Sequence, residues 1–215
     1  MNIAIFLDRD GTINEEKGYL NDPDGLNLLP GAGEAIKKVN DHQIKVVVIT
    51  NQSGVARGYF SEDQVEMIHQ KLRELLKEKC AFLDGIYYCP HHPEVCHTEY
   101  GIKCNCRKPA PGMLETASEE LGIDLACSYV IGDKIIDVEL AYRVGAKGIL
   151  VLTGYGKEEV EALNSGSKRR PDYVARDILD AVNWVLRDLQ ENEKWKLPAS
   201  PVSKINVTTT NVWQK

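Results

Sequence analysis

Two aspartates one residue apart, Asp8 and Asp10, stand in the run Asp8-Arg9-Asp10-Gly11-Thr12, directly after the apolar residues 3–7. Where a buried strand ends and its backbone turns, carboxylates at i and i+2 can face one crevice. One can attack a phosphorus atom while the other moves a proton. Gly11 lets the chain leave the strand sharply. An Asp-x-Asp pair alone is too common to assign chemistry, so its meaning depends on what else converges on it.

Three further motifs sit at equivalent places. Thr50-Asn51-Gln52-Ser53 follows the β-branched run 44–49, and a hydroxyl with backbone N–H groups behind it suits a phosphoryl oxygen. Arg107-Lys108-Pro109 precedes a helical stretch, where Lys108 can neutralise charge on a transferring group. Gly132-Asp133-Lys134, with Asp137 beyond it, follows residues 129–131. Asp133 can complete a magnesium site with Asp8, because hard oxygen ligands suit that ion. Whether Asp137 touches the metal or only orders Lys134 and water is open at this level. Alone, each motif reads as a turn, a solvated basic pair or a helix cap; in order, they reinforce one another.

A second constellation is soft rather than hard. Cys89-Pro90-His91-His92 is followed by Cys104-Asn105-Cys106. Cys-x-His and Cys-x-Cys pairs a dozen or so residues apart can close a tetrahedral zinc site through Cys89, His91, Cys104 and Cys106. His92, Cys96 and His97 compete as ligands. With no open position, such a zinc is structural, and it fixes the loop that carries Arg107 and Lys108. Cys80 and Cys127 read as buried small apolar residues.

The elements that must position these groups alternate. Short continuous apolar runs at 3–7, 44–49, 85–88, 129–131 and 148–152, with a weaker one at 173–174, read as buried strands. Helical stretches at 33–39, 61–79, 111–121, 135–144 and 178–189, and a weaker unit at 157–163, lie between and after them. Ser61 and Gln64 form a capping box, and Gly122 is a helix stop. This order predicts an α/β fold: a single Rossmann-like, doubly wound parallel sheet with a small zinc-binding loop. The intervals 12–50 and 53–108 are already filled, so the fold is capless and loops shape the pocket. Glu16-Lys17-Gly18-Tyr19 and Arg107 form its expected rim. Residues 1–190 read as one domain, and residues 191–215 as a loosely attached tail.

Composition narrows the class. The 215 residues are 43% hydrophobic and 27% charged, with a formal net charge of −6. That balance supports a globular core and opposes a nucleic-acid groove or a nucleic-acid end-processing activity. No stretch is apolar enough to span a membrane, and the N-terminal run is too short for a secretory signal. The expectation is a cytoplasmic monomer acting on a small molecule, with no nucleic-acid or membrane partner.

Together, Asp8 to Thr12, Thr50-Asn51, Lys108 and Gly132-Asp133 resemble the four motifs of the haloacid dehalogenase superfamily, over residues 2–190. The resemblance implies Asp8 as nucleophile and Asp10 as general acid/base, with Thr50 and Lys108 binding the phosphoryl group. It also implies magnesium held by the carboxylates of Asp8 and Asp133 and the main-chain carbonyl of Asp10. With Gly18-Tyr19, Gln52-Ser53-Gly54, the run 88–93 and the run 104–109 added, the set is similar to a sugar bisphosphate phosphatase family. That implies a small sugar phosphate as substrate. The implied contacts are Glu16, Lys17, Gly18, Tyr19, Thr50, Asn51, Gln52, Ser53, Arg107, Lys108 and Lys134. Histidinol-phosphate phosphatases share the zinc loop and are the nearest alternative. A non-catalytic zinc module would leave the ordered Asp, Thr and Lys set without a purpose.

Overall fold

A computed structural model describes residues 2–95, 98–163 and 170–192. Six strands form one parallel sheet: β1 (Ala4–Leu7), β2 (Lys45–Asn51), β3 (Gly85–Cys89), β4 (Tyr129–Gly132), β5 (Lys147–Val151) and β6 (Tyr173–Ala175). Their spatial order is β3-β2-β1-β4-β5-β6. The order reverses beside β1, because β2 lies on one side of it and β4 on the other. In doubly wound sheets the crevice at such a reversal, outside the carboxyl ends of the strands, is where ligands bind.

The helices are α1 (Ala32–Asp41), α2 (Glu62–Glu78), α3 (Gly112–Leu121), α4 (Ile135–Arg143), α5 (Gly156–Leu163) and α6 (Ile178–Glu191). The pleat of β1 sorts them into two layers. Ile5 and Leu7 pack with Ile36 of α1, Ile68 and Leu72 of α2, and Val182 and Val185 of α6. Ala4 and Phe6 face the other way, toward Met113 and Leu114 of α3 and Leu140 of α4. Successive strand side chains point to opposite faces, so a strand apolar at every position must be covered twice. β1 is fully buried, as its composition predicts.

Local signals set the boundaries. The Ser61 hydroxyl accepts from Gln64 N at 3.3 Å and Gln64 Oε1 accepts from Ser61 N at 2.9 Å, which starts α2. Gly122, at φ +64°, ends α3. Two expectations need correction. Cys80 is exposed, not buried: it sits at φ +56° just past α2, where the chain turns back toward β3. Cys127 is half-buried, in a 3-10 turn at Leu125–Cys127 that leads into β4.

Among the described residues no added module of helices or strands covers the carboxyl ends of the strands. The segment between β1 and α1 contributes a 3-10 turn, Pro23–Gly25, and isolated bridges at Asp10–Asn14 and Asn14–Leu28, so the described residues form a capless fold. The tail reading falls almost wholly on residues 193–215, outside the described residues.

Candidate active site

The four motifs meet at the switch point. Asp8 leaves β1 with its N–H still donating to Ile131 O of β4, at 2.9 Å. The chain then turns tightly: Gly11, at φ +78°, donates to Asn14 O at 2.8 Å. A Cβ on Gly11 would lie 2.3 Å from Asp133 Oδ2, so only glycine lets the first and fourth motifs approach so closely.

Asp8 Oδ1 accepts from Arg9 N at 2.7 Å and pairs with Lys108 Nζ at 2.9 Å. The same ammonium lies 2.7 Å from Asp137 Oδ1 and donates to Ile49 O at 3.1 Å. Burial alone would lower the pKa of Lys108, but Asp137 and Asp8 raise it well above the usual lysine range, so the side chain stays cationic. Asp137 is therefore an ion-pair partner of Lys108, and not simply an anchor for Lys134. Asp8 is pushed up to about 6, by burial first, with Lys108 opposing and Asp137 adding to it.

Asp10 is held by four donor groups. Its Oδ1 accepts from Arg9 Nε at 3.2 Å, Arg9 Nη2 at 3.1 Å and Asn14 Nδ2 at 2.9 Å. Its Oδ2 accepts from Arg9 Nη2 at 2.8 Å and Gln52 Nε2 at 3.0 Å. Burial raises its pKa, but Arg9 and these hydrogen bonds outweigh that and leave it below the usual carboxylate value. Gln52 Nε2 also donates to Thr50 Oγ1 at 2.8 Å, so one amide ties the Asp10 carboxylate to the Thr50 hydroxyl. The Asn51 carboxamide spans the main chain of Lys108, accepting from its N at 3.0 Å and donating to its O at 3.3 Å. Asn51 and Gln52, expected as substrate contacts, line the cavity but use these side-chain bonds to hold other site residues.

Asp8, Asp133 and Asp137 each bring a carboxylate oxygen within 4.8 Å of the others. Asp133 Oδ2 accepts from Tyr155 N at 2.9 Å, while its Oδ1 is buried without a partner. Burial, and then the Asp8 charge, push Asp133 up to about 8. An orphaned, buried carboxylate oxygen beside a second carboxylate is costly unless a cation meets it. The all-oxygen donor set fits a hard divalent ion such as magnesium.

Asp8, Asp10, Thr50 and Lys108 floor a cavity of about 350 Å³, with Ser53, Gly54, Arg107, Ile136 and Tyr155 among its walls. Glu16, Gly18, Tyr19 and Lys134 line it as expected. Glu16 Oε1 accepts from Gly18 N at 2.6 Å, and its Oε2 lies 3.6 Å from Lys134 Nζ. Lys17 is not brought to the cavity: its Nζ donates to Gly25 O at 2.7 Å, beside Glu15. Tyr155 was missed by sequence reasoning. The run Thr153-Gly154-Tyr155-Gly156 reads as an ordinary turn, and its partner Asp133 is 22 residues away.

Beside the cavity, Cys89, His91, Cys104 and Cys106 converge. Cys106 Sγ lies 3.1 Å from Cys89 Sγ and 3.3 Å from both Cys104 Sγ and His91 Nδ1, and Cys89 and Cys104 sulfurs are 3.5 Å apart. These gaps are too long for disulfides. Zinc–sulfur bonds of about 2.3 Å place tetrahedral sulfurs roughly 3.8 Å apart, so a small outward shift would fit the ion. His92 points elsewhere, its Nε2 3.4 Å from Arg57 Nη2. Cys96 and His97 lie outside the described residues. Arg107 Nη1 donates to His91 O at 3.1 Å, which links the cluster to the pocket wall.

Comparison with known proteins follows the same lines. A family model described as HAD-hydrolase-like matches residues 105–181. A D-glycero-beta-D-manno-heptose-1,7-bisphosphate 7-phosphatase of Escherichia coli K12 is 46% identical over 179 residues, spanning 82% of this chain and 90% of the relative. The one from Haemophilus ducreyi is 42% identical over 184 residues, 85% of this chain and 97% of the relative. Among solved structures, D,D-heptose 1,7-bisphosphate phosphatase from B. bronchiseptica, complexed with magnesium and phosphate, aligns with a TM-score of 0.76 at 33% identity. It covers 87% of this chain and 99% of that one.

Proposed function

The chain belongs to the family of D-glycero-D-manno-heptose-1,7-bisphosphate 7-phosphatases, within the haloacid dehalogenase-like hydrolases, and we propose that it hydrolyses the 7-phosphate of that substrate. The beta anomer is the expected substrate, because the Escherichia coli and Haemophilus ducreyi relatives carry that anomer in their names. The supply of cations carries the reading: Lys108 serves the transferring phosphoryl group, and Arg107 and Lys134 remain for a second phosphate in the same cavity.

Asp8 Oδ1 is fixed by Arg9 N and Lys108, which leaves Oδ2 to attack. The new phosphorus–oxygen bond forms on Asp8 as the bond to the C7 oxygen breaks, and Asp10 gives that oxygen its proton. Asp10 then takes a proton from water, which attacks the phosphoryl-aspartate and releases phosphate and Asp8. Thr50 and Lys108 hold the phosphoryl oxygens throughout. Magnesium among Asp8, Asp133 and the Asp10 main chain would offset the repulsion between a phosphate dianion and a carboxylate nucleophile. Zinc in the Cys89, His91, Cys104 and Cys106 cluster is the reading its soft donors favour, in a structural role.

Phosphate release with magnesium present, from both anomers of heptose 1,7-bisphosphate and from histidinol phosphate in parallel, tests the assignment. The expected outcome is a strong preference for the bisphosphate, with Asp8→Asn inactive yet folded and zinc-loaded. A preference for histidinol phosphate would move the chain to that substrate with mechanism intact. Substantial turnover by Asp8→Asn would remove the covalent step.

A further inference from the structure

We infer that Tyr155, in the loop between β5 and α5, is a positioning residue that aims Lys134 at the second phosphate of the substrate. The inference rests on the bisphosphatase reading above and adds a residue to it. Lys134 Nζ lies over the Tyr155 ring, 4.3 Å from its centroid, with the Glu16 carboxylate 3.6 Å away on the rim. The two neighbours differ in kind. Glu16 neutralises the ammonium and must give way when a phosphate arrives. The ring face attracts a cation without cancelling its charge, so it can stay in place while Lys134 changes partner.

The ring has a firm base. Tyr155 N donates to Asp133 Oδ2 at 2.9 Å, and Thr153 Oγ1 donates to Gly11 O at 2.6 Å. Between them Gly154 takes φ +54°, and a Cβ there would meet Asp133 Oδ2 at 2.2 Å and Gly11 Cα at 2.7 Å. These two hydrogen bonds thus fasten the loop to the nucleophile turn at Gly11 and to the Asp133 carboxylate. They place the Tyr155 ring at the cavity wall with 39% of the residue exposed. So much exposure argues that the ring is not there to fill a core.

The experiment compares kcat/KM for heptose 1,7-bisphosphate with kcat/KM for the corresponding 7-monophosphate, as a ratio, in five forms. These are the unaltered protein, Tyr155→Phe, Tyr155→Ala, Lys134→Met and the Tyr155→Ala/Lys134→Met pair. A cation–π contact of this type corresponds to about threefold to thirtyfold in affinity. The ratio should fall by that factor in Tyr155→Ala, mainly through KM, and hold in Tyr155→Phe, which keeps the ring. Adding Tyr155→Ala to Lys134→Met should change it less than about twofold, because coupled residues are not additive. An unchanged ratio in Tyr155→Ala overturns the inference. So does an equal fall in the Lys134→Met background, which would mean that Tyr155 meets the substrate directly. If the unaltered protein shows no preference for the bisphosphate, the functional reading fails first, and the inference with it.

Discussion

Asp10 accepts from Arg9, Asn14 and Gln52 at once, and both of its oxygens are engaged. Donors on both oxygens favour its ionised form, which in the proposed mechanism suits the second half of the reaction, where it takes from water the proton that it gives up in the next turnover. In the first half it must give a proton to a sugar oxygen, a poor leaving group. Its two duties can therefore be separated by leaving group. Asp10→Asn should lower kcat/KM on the heptose bisphosphate by about 10² to 10⁴, the usual worth of general acid–base catalysis. On an aryl phosphate such as 2,4-dinitrophenyl phosphate, whose leaving group departs without a proton, the same variant should lose far less. Equal losses on both substrates, in steady-state assays run side by side, would mean that Asp10 serves binding and not proton transfer. At this scale the sequence indicated where chemistry-bearing residues would gather, since Asp8, Asp10, Thr50 and Lys108 all line one cavity. It could not show how side chains spend their hydrogen bonds. Asn51 holds Lys108, 57 residues on, and Gln52 holds Asp10, 42 residues back, while Lys17 turns to Gly25, and such choices are set by neighbours that only the folded chain brings together.

The strands were legible because each is short, apolar and buried on both faces, and the helices because Ser61 and Gly122 mark ends that geometry requires. What periodicity cannot show is how the last helix is fastened across the sheet. Asp188 of α6 accepts from Tyr129 OH at 2.7 Å and from Lys147 Nζ at 2.6 Å, so one carboxylate joins the first residues of β4 and β5. These positions are at the amino ends of the strands, opposite the active site. Burial works to raise the pKa of Asp188, but Lys147 and Tyr129 win, and it sits below the reference value of 3.8. A carboxylate with a depressed folded pKa adds stability that is present above its unfolded value and lost as pH falls through its folded one. Asp188→Asn should therefore cost about 1.5–3 kcal/mol at pH 7, the range for hydrogen bonds to a charged group. The gap should narrow below about pH 4. Urea melts of both proteins from pH 7 to pH 3 would check this; a gap independent of pH would show that packing, not charge, is what Asp188 supplies.

Across the whole molecule, a chain with a net charge of −6 presents a cationic cavity wall to an anionic substrate, and two separate devices hold that wall. Lys108 is anchored from the core side, through Asp8, Asp137 and the Asn51 carboxamide on its main chain. Arg107, one residue earlier, is anchored from the opposite side by His91 O within the Cys/His cluster. Loss of zinc should thus divide two properties that a general loosening would change together. With the four ligands no longer tied, Arg107 loses its hold and the second phosphate its partner, while Lys108 keeps its grip on the transferring group. Chelation followed by buffer exchange should remove about one zinc per chain, measured by atomic absorption. KM for the bisphosphate should then rise about tenfold or more, the scale of one charge-assisted contact. The kcat should fall much less, and zinc, but not magnesium, should restore KM. Should kcat collapse with KM unchanged, the cluster would instead be supporting Lys108. A folded, zinc-free protein with both constants intact would show that the loop holds its shape without the metal.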